Sequence, residues 1–188
     1  MKYKLDCKEN FKDSLLFWIS RFVKYKLTTL SNKELREPAV LASVNYELTK
    51  GVSNINQLDG LVKRARNAGL AGVSTYFMPL KKIYEILGFY DLDSLAKIDE
   101  ELISEVLASA TGALSDASKK NFRMAVINFF KYLSRQNDED GKAHVYDIEL
   151  KNWGGITGNK GVKLPEFMNE DEVHKFLNAI DEMDFKKN

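Results

Sequence analysis

The sequence predicts an all-α protein, because apolar residues recur along it at helical spacing between recognisable cap residues. The clearest case begins at Ser115, whose hydroxyl can cap the first free amides of a helix. An apolar stripe then follows at the spacing of a 3.6-residue helix. Its members are Phe122, Val126, Phe129 and Leu133. We therefore expect one long amphipathic helix from Ser115 to Gln136.

The side of this helix opposite the apolar stripe is basic. It carries Lys120, Lys131 and Arg135, with Arg123 at its margin. Such a face is either solvated or directed into a DNA groove, and the helix alone does not decide between these interpretations. Because Lys120 and Arg123 lie off the apolar stripe, we expect their replacement to cost little stability.

Three helices are predicted in the first part of the chain. Residues 10–26 carry an aromatic-rich apolar stripe, which would serve either as core or as a docking surface for another protein. A second helix begins near Pro38 and ends at Gly51. A third follows the cap residue Asn54, has a basic last turn, and stops at Gly69, which tolerates the left-handed conformation.

Two more helices are predicted before Ser115. The segment from Gly72 to Gly88 has helical spacing, but Pro79 lies deep within it. Either the first turn is bent or the helix starts later, since proline disrupts a helix interior. Asp99 then caps a short helix that Gly112 closes. The whole is expected to form a bundle of about five helices.

The domain organisation follows from where this helical pattern stops. We assign residues 1–150 to a helical domain, 151–166 to an interdomain linker, and 167–188 to the first helix of a truncated second domain. The linker contains several glycines. It is not a phosphate-binding loop, because Lys160 lies outside the Gly-Lys-Ser/Thr pattern. The final helix has an apolar stripe that needs a partner.

Composition excludes several function classes. No apolar run is long enough to span a bilayer and no signal peptide is visible, so we expect a cytoplasmic protein with no membrane partner. Cys7 is the single cysteine, and His144 and His174 are far apart. We therefore expect no metal, no cofactor and no catalytic residue in this chain.

Charge is unevenly distributed although the net charge is only +1. Residues 63–66 and 119–123 are basic, and an acidic block lies between them in sequence. A basic face is compatible with a neutral chain if the acidic side chains point elsewhere. Charge alone leaves open whether these clusters are solvated or bind a ligand.

Three stretches carry a family resemblance. SDASKKNFRMAVINFFKYLSRQ resembles the last long helix of the core-binding domain in tyrosine recombinases of the Xer type, within the phage integrase family. KLPEFMNEDEVHKFLNAID is similar to the run that opens the catalytic domain of that family. KRARNAGLAGVSTYFMPL further resembles the subgroup of single recombinases, which act alone rather than as paralogous pairs.

The resemblance implies a fold and a function. It implies a SAM-like core-binding domain that binds DNA sequence-specifically, as the N-terminal half of a site-specific recombinase for chromosome dimer resolution. Implied partners are double-stranded DNA at the recombination site, copies of the chain in a synapse, and a DNA translocase acting on the full-length protein. The catalytic arginines, lysine, histidines and tyrosine of the family lie in its catalytic domain, so this chain alone is expected to be inactive.

The resemblance also implies that two helices, near residues 74–87 and from Ser115 onward, face the major groove. The candidate DNA-binding residues are Lys63, Arg64, Arg66, Ser74, Thr75, Lys81, Lys82, Ser118, Lys119, Lys120, Arg123, Lys160 and Lys163. The alternative is a helical protein-interaction domain that docks through its aromatic first helix; a bundle without any ligand is a third interpretation. A steep salt dependence of duplex binding would distinguish the first from the others.

Overall fold

The computed structural model describes residues 2–30 and 36–151. Within these ranges it contains six α-helices and one short 3-10 turn, Leu95–Lys97. The helices are α1 (Phe11–Thr29), α2 (Pro38–Lys50), α3 (Ile55–Asn67), α4 (Gly72–Leu87), α5 (Glu100–Thr111) and α6 (Asp116–Gln136). The predicted all-α class is confirmed, and each of these six helices corresponds to one placed from the sequence. None of the helices in the described ranges has the length and apolar character needed to cross a membrane.

Part of the predicted organisation lies outside the described residues. This applies to Lys160 and Lys163, to the predicted helix at 167–188, and to all of the predicted linker except its first residue. The assignment of residues 1–150, 151–166 and 167–188 to three parts therefore stays a prediction.

Three predicted caps are present in the structure. At Asn54, Asp99 and Ser115 the side-chain oxygen accepts a hydrogen bond from the backbone amide three residues later, at 2.9, 2.8 and 3.4 Å. Each bond satisfies an amide that has no acceptor within its own helix. These caps fix where α3, α5 and α6 begin.

The fourth helix contains Pro79 in its interior. α4 starts at Gly72, without a side-chain cap, and runs continuously through Pro79. The segment predicted from Gly72 to Gly88 is therefore helical from its first residue, and the alternative of a later start was wrong. Pro79 has no amide hydrogen, so the carbonyl of Thr75 lacks its usual donor within the helix.

The core joins α1, α4 and α6 through aromatic rings. Phe22 of α1 is fully buried, and its ring centroid lies 6.1 Å from Tyr76 at the start of α4 and 5.6 Å from Phe129 in the second half of α6. The start of α4 therefore lies beside the second half of α6. Trp18 is also fully buried. The aromatic side of α1 is thus core, which removes the basis for treating it as a docking surface.

Residues 144–150, predicted as a weakly extended piece, pack against the bundle without forming a regular strand. Ile148 and Leu150 are buried. The hydroxyl of Tyr146 donates to the carbonyl of Leu95 at 2.8 Å. The segment after α6 is therefore part of the helical domain.

The N-terminal residues are tied to the end of α6. Tyr3 and Asn137 form an isolated parallel bridge, in which the Tyr3 amide donates to Gln136 and the Asp138 amide donates to Tyr3. The indole N–H of Trp18 donates to the carbonyl of Leu5 at 2.8 Å. These bonds close the bundle between its first and last described segments.

Candidate nucleic-acid interface

The first two turns of α6 present cations at a capped helix N-terminus. Lys120 is exposed and Lys119 is half-buried. Within the described ranges, neither lysine takes part in an ion pair with a carboxylate. The free amides and the dipole at this end of α6 also favour an anion. This turn therefore has the charge and the backbone geometry to contact a phosphate group.

Ser118 belongs to the same turn but is already engaged. The hydroxyl of Ser115 donates to the Ser118 hydroxyl oxygen at 3.1 Å, and the Ser118 amide donates to Ser115. Ser118 keeps its own hydroxyl hydrogen for another acceptor. Its predicted role as a DNA contact remains compatible with the cap.

The exposed side of α4 is the second predicted contact surface. Thr75, Met78 and Lys82 lie on one stripe at i, i+3 and i+7, and all three are exposed. Ser74 beside them is half-buried. Lys82 lies 3.9 Å from Glu85, in a loose surface pair that leaves its ammonium group accessible. An exposed stripe of two polar side chains and one apolar side chain is therefore available on α4.

Lys81, by contrast, is directed toward α3. Its ammonium group lies 3.1 Å from the carboxylate of Asp59, and only 21% of the Lys81 side chain is exposed. Burial would raise the pKa of Asp59, but hydrogen bonds from Lys63 and Lys81 outweigh it and hold that pKa below its usual value. The prediction of Lys81 as a DNA contact has lost its main support, since its charge is used between α3 and α4.

Most cations in the basic last turn of α3 are paired with acceptors of the same chain. Arg64 donates to Glu47 of α2 at 2.6 Å and to the hydroxyl of Ser43 at 3.1 Å. That hydrogen bond from Arg64 lowers the pKa of Glu47. Lys63 lies 3.0 Å from Asp59, on its own helix. Arg66 is exposed and, among the described residues, forms no ion pair. Of this cluster, Arg66 remains the best candidate for a ligand.

Arg123 has a different environment from the one that the sequence indicated. Its Nε donates to the carbonyl of Leu150, and its Nη2 donates to the carbonyl of Glu149, both at 2.7 Å. The sequence placed Arg123 at the margin of the basic side, where its replacement was expected to cost little stability; these two hydrogen bonds now argue for a larger cost. Its replacement removes two charge-assisted hydrogen bonds.

Sequence reasoning missed Glu100, which belongs to the acidic block to which the sequence analysis assigned no role. Its carboxylate accepts hydrogen bonds from the amides of Glu149 and Leu150, at 3.0 and 3.1 Å. The partners are about fifty residues away in sequence and are backbone groups, so no sequence spacing announces them. Glu101, the next residue in the same first turn, does not have this role in the described structure.

Comparison with known proteins identifies the family to which the chain belongs. A family model described as the phage integrase SAM-like domain matches residues 6–137, and the chain belongs to this family. This range contains all six described helices and both predicted contact surfaces.

Among individual proteins, the chain is similar to tyrosine recombinase XerH from two organisms. It is 67% identical over 188 residues to XerH of Campylobacter jejuni, covering 100% of this chain and 53% of that protein. It is 40% identical over 192 residues to XerH of Helicobacter pylori, covering 98% of this chain and 53% of that protein. The chain thus spans about half the length of these curated relatives, and corresponds to their N-terminal, core-binding part.

Two solved structures have the same fold. One is the XerH site-specific recombinase bound to a palindromic difH substrate, in a post-cleavage complex, with a TM-score of 0.83 and 40% identity. The other is XerH bound to difH in a pre-cleavage complex, with a TM-score of 0.79 and 38% identity. Each match covers 97% of this chain and about half of the other, 51% and 52%. The resemblance stated from the sequence is confirmed.

Proposed function

We propose that this chain binds double-stranded DNA sequence-specifically, as the N-terminal core-binding half of a site-specific tyrosine recombinase of the chromosome dimer resolution type. The full-length protein would act in the cytoplasm, as copies assembled in a recombination synapse and with a DNA translocase as a further partner. DNA strand transfer would belong to the full-length protein, and this half alone would neither cut DNA nor become covalently linked to it.

The proposal depends mainly on two lysines in the first part of α6. Lys119 and Lys120 lie at a capped helix N-terminus with no carboxylate partner among the described residues. Unneutralised cations at such a position supply the phosphate contacts that orient a protein on a duplex. The exposed side chains of α4, above all Thr75 and Lys82, would lie on the same DNA and add to these contacts.

The family relationship supports DNA binding independently of the positions of these side chains. The two solved structures described above contain the related XerH bound to difH. The related protein from Helicobacter pylori is 40% identical to this chain. We infer that the DNA site of this chain is of the same kind, and that phosphate contacts position the domain while a few side chains read base edges.

Fluorescence anisotropy with a labelled difH duplex tests the proposal. The 188-residue chain should bind difH more tightly than a scrambled duplex of equal composition, and the logarithm of its affinity should fall linearly with the logarithm of the salt concentration. Lys97→Ala serves as a control for the removal of one positive charge outside the proposed interface, because Lys97 is 59% exposed but paired with Asp93. This variant should bind difH as the unaltered chain does. Equal affinity for both duplexes would remove the sequence-specific part, and an affinity independent of salt would refute the proposal.

A further inference from the structure

Residues 149 and 150, near the end of the described chain, are held by two charged side chains that bond to their backbone. Arg123 of α6 donates to the carbonyls of Glu149 and Leu150, and Glu100 of α5 accepts from the amides of the same two residues. All four polar backbone groups of residues 149–150 are therefore paired with charged side chains. We refer to these two side chains and the segment they hold as the exit clamp.

The clamp depends on the shapes of its two charged groups. The guanidinium of Arg123 is a rigid planar donor that can address two neighbouring carbonyls at once, and the two oxygens of Glu100 can accept two neighbouring amides. Bonds of this kind are stronger than those between neutral groups. Because only backbone atoms are bonded, the clamp fixes the path of the chain and not the identity of residue 149.

The backbone at Leu150 shows that the path is enforced. Leu150 has φ +51°, in the left-handed region that non-glycine residues seldom adopt. Its side chain is 1% exposed, within the core. A conformation of this cost persists only where the surroundings hold it. Burial of Leu150 and the four hydrogen bonds supply that support.

The clamp lies close to the predicted DNA-contacting turn. Arg123 follows Lys120 by three residues on α6, a rise of about 4.5 Å along the helix axis. One rigid element therefore carries both the cations that would meet phosphate groups and the group that fixes where the chain leaves the bundle. Relative motion between these two features is limited to bending of a single helical turn.

We propose that Arg123 and Glu100 are positioning residues, which set the point and direction of chain exit relative to bound DNA, and that Arg123 is not a phosphate contact. The part that concerns DNA rests on the proposed function; the clamp itself does not. A fixed path at residues 149–150 means that these two residues lose little further conformational freedom when DNA binds.

Hydrogen exchange of the backbone amides of Glu149 and Leu150 tests the clamp in the 188-residue chain. Arg123→Ala and Glu100→Ala should each accelerate exchange at these two amides by about tenfold or more, while amides in the middle of α6 keep their protection. Two matched controls, Lys120→Ala on α6 and Glu101→Ala in the same first turn of α5, should leave it unchanged. Arg123→Lys should behave like Arg123→Ala, because lysine keeps the charge but lacks the planar fork.

The affinity of the same variants for difH is then measured over a range of salt concentrations. Lys120→Ala should reduce the slope by about one contact, and Arg123→Ala should leave it unchanged. A reduced slope for Arg123→Ala overturns its assignment as a positioning residue, and unchanged amide exchange in Arg123→Ala and Glu100→Ala overturns the clamp. If the unaltered chain shows no salt-dependent binding, the proposed function fails, whereas the exchange data still decide on the clamp.

Discussion

Two basic clusters that look alike in the sequence have different environments in the folded chain. The cluster on α3 contains Lys63 and Arg64, both paired with carboxylates of α2 or α3. The cluster on α6 contains Lys119 and Lys120, which have no carboxylate partner among the described residues. Both clusters are runs of cations at one end of an amphipathic helix.

The difference is caused by which acidic residues lie within reach. α2 packs beside α3 and places Glu47 opposite Arg64, while Asp59 lies one turn before Lys63 on the same helix. On α6 the nearest acidic residue in sequence, Asp116, forms no ion pair with Lys120 in the described structure. A run of cations therefore indicates a binding surface only after the intramolecular carboxylates have been assigned.

The largest expected loss of stability comes from a substitution on the buried side of α6. Phe129 is 1% exposed and packs against Phe22 and Phe130. Phe129→Ala should lower the free energy of unfolding by about 3–5 kcal/mol, because it empties the aromatic core. Chemical denaturation measures this. If Lys120→Ala destabilised the chain equally, the assignment of core and outer faces on α6 would be reversed.

A smaller loss of stability is expected when Asp59, the carboxylate shared by Lys63 of α3 and Lys81 of α4, is removed. Asp59 is 9% exposed and accepts from Lys63 and Lys81. Asp59→Ala should cost about 1–3 kcal/mol of stability, because it leaves the half-buried Lys81 ammonium without its acceptor. Denaturation monitored by circular dichroism gives the value. A cost below that of Glu101→Ala, an exposed substitution, would contradict the internal role of these cations.

The same carboxylate makes part of the stability depend on pH. The folded-state pKa of Asp59 is lowered, so its contribution is present above the unfolded-state pKa of about 3.9 and disappears as pH falls through the lower folded-state value. The unaltered chain should therefore lose more stability between about pH 5 and pH 3 than Asp59→Asn does. Denaturation at a series of pH values measures both curves, and parallel curves would show that Asp59 does not contribute.

For the α6 cluster, the expected effect is on binding. Lys120→Ala should weaken difH binding roughly fivefold to tenfold near 0.1 M salt and lower the salt slope by about 0.9, the value of one phosphate contact. Its free energy of unfolding should change by less than about 0.5 kcal/mol. Anisotropy titration and denaturation are measured on the same preparation. An unchanged slope would remove Lys120 from the interface.

The smallest effect is expected for Arg64. Its pair with Glu47 is well exposed, with 45% and 38% of the two side chains accessible, and such pairs contribute about 1 kcal/mol or less. Arg64→Ala should therefore have a minor effect on unfolding and none on the salt slope of DNA binding. A slope reduced as much as by Lys120→Ala would show that both clusters meet DNA, and would break the comparison.

Much of the fold could be predicted from the sequence because its signals are local. The caps at Asn54, Asp99 and Ser115 act within one helical turn, so three residues suffice to identify each. The apolar stripes likewise repeat within each helix. At Pro79 the local rule failed, because α4 is buried against α1, α3 and α6 strongly enough to continue through a residue that interrupts its hydrogen bonding.

The candidate site was predictable in part. The exposure of Lys120 follows from helical periodicity, whereas the fate of Lys81 depends on Asp59, which is 22 residues away. Glu100 and Arg123 both act on backbone groups that only the folded chain brings to them. Sequence patterns identify which side of a helix faces outward, but not which charges are neutralised by another element.

The bridge between Tyr3 and Asn137 has a consequence for the order of folding. It joins positions separated by nearly the whole described chain, so forming it early would require closing a very long loop for a few hydrogen bonds. Contacts within and between neighbouring helices, such as those of α5 with α6, are closed at much lower entropic cost. The N-terminal residues should therefore dock after the transition state, so that weakening them speeds unfolding and leaves the folding rate nearly unchanged. During synthesis, residues made before α6 would thus reach their final place only once α6 is present to receive them.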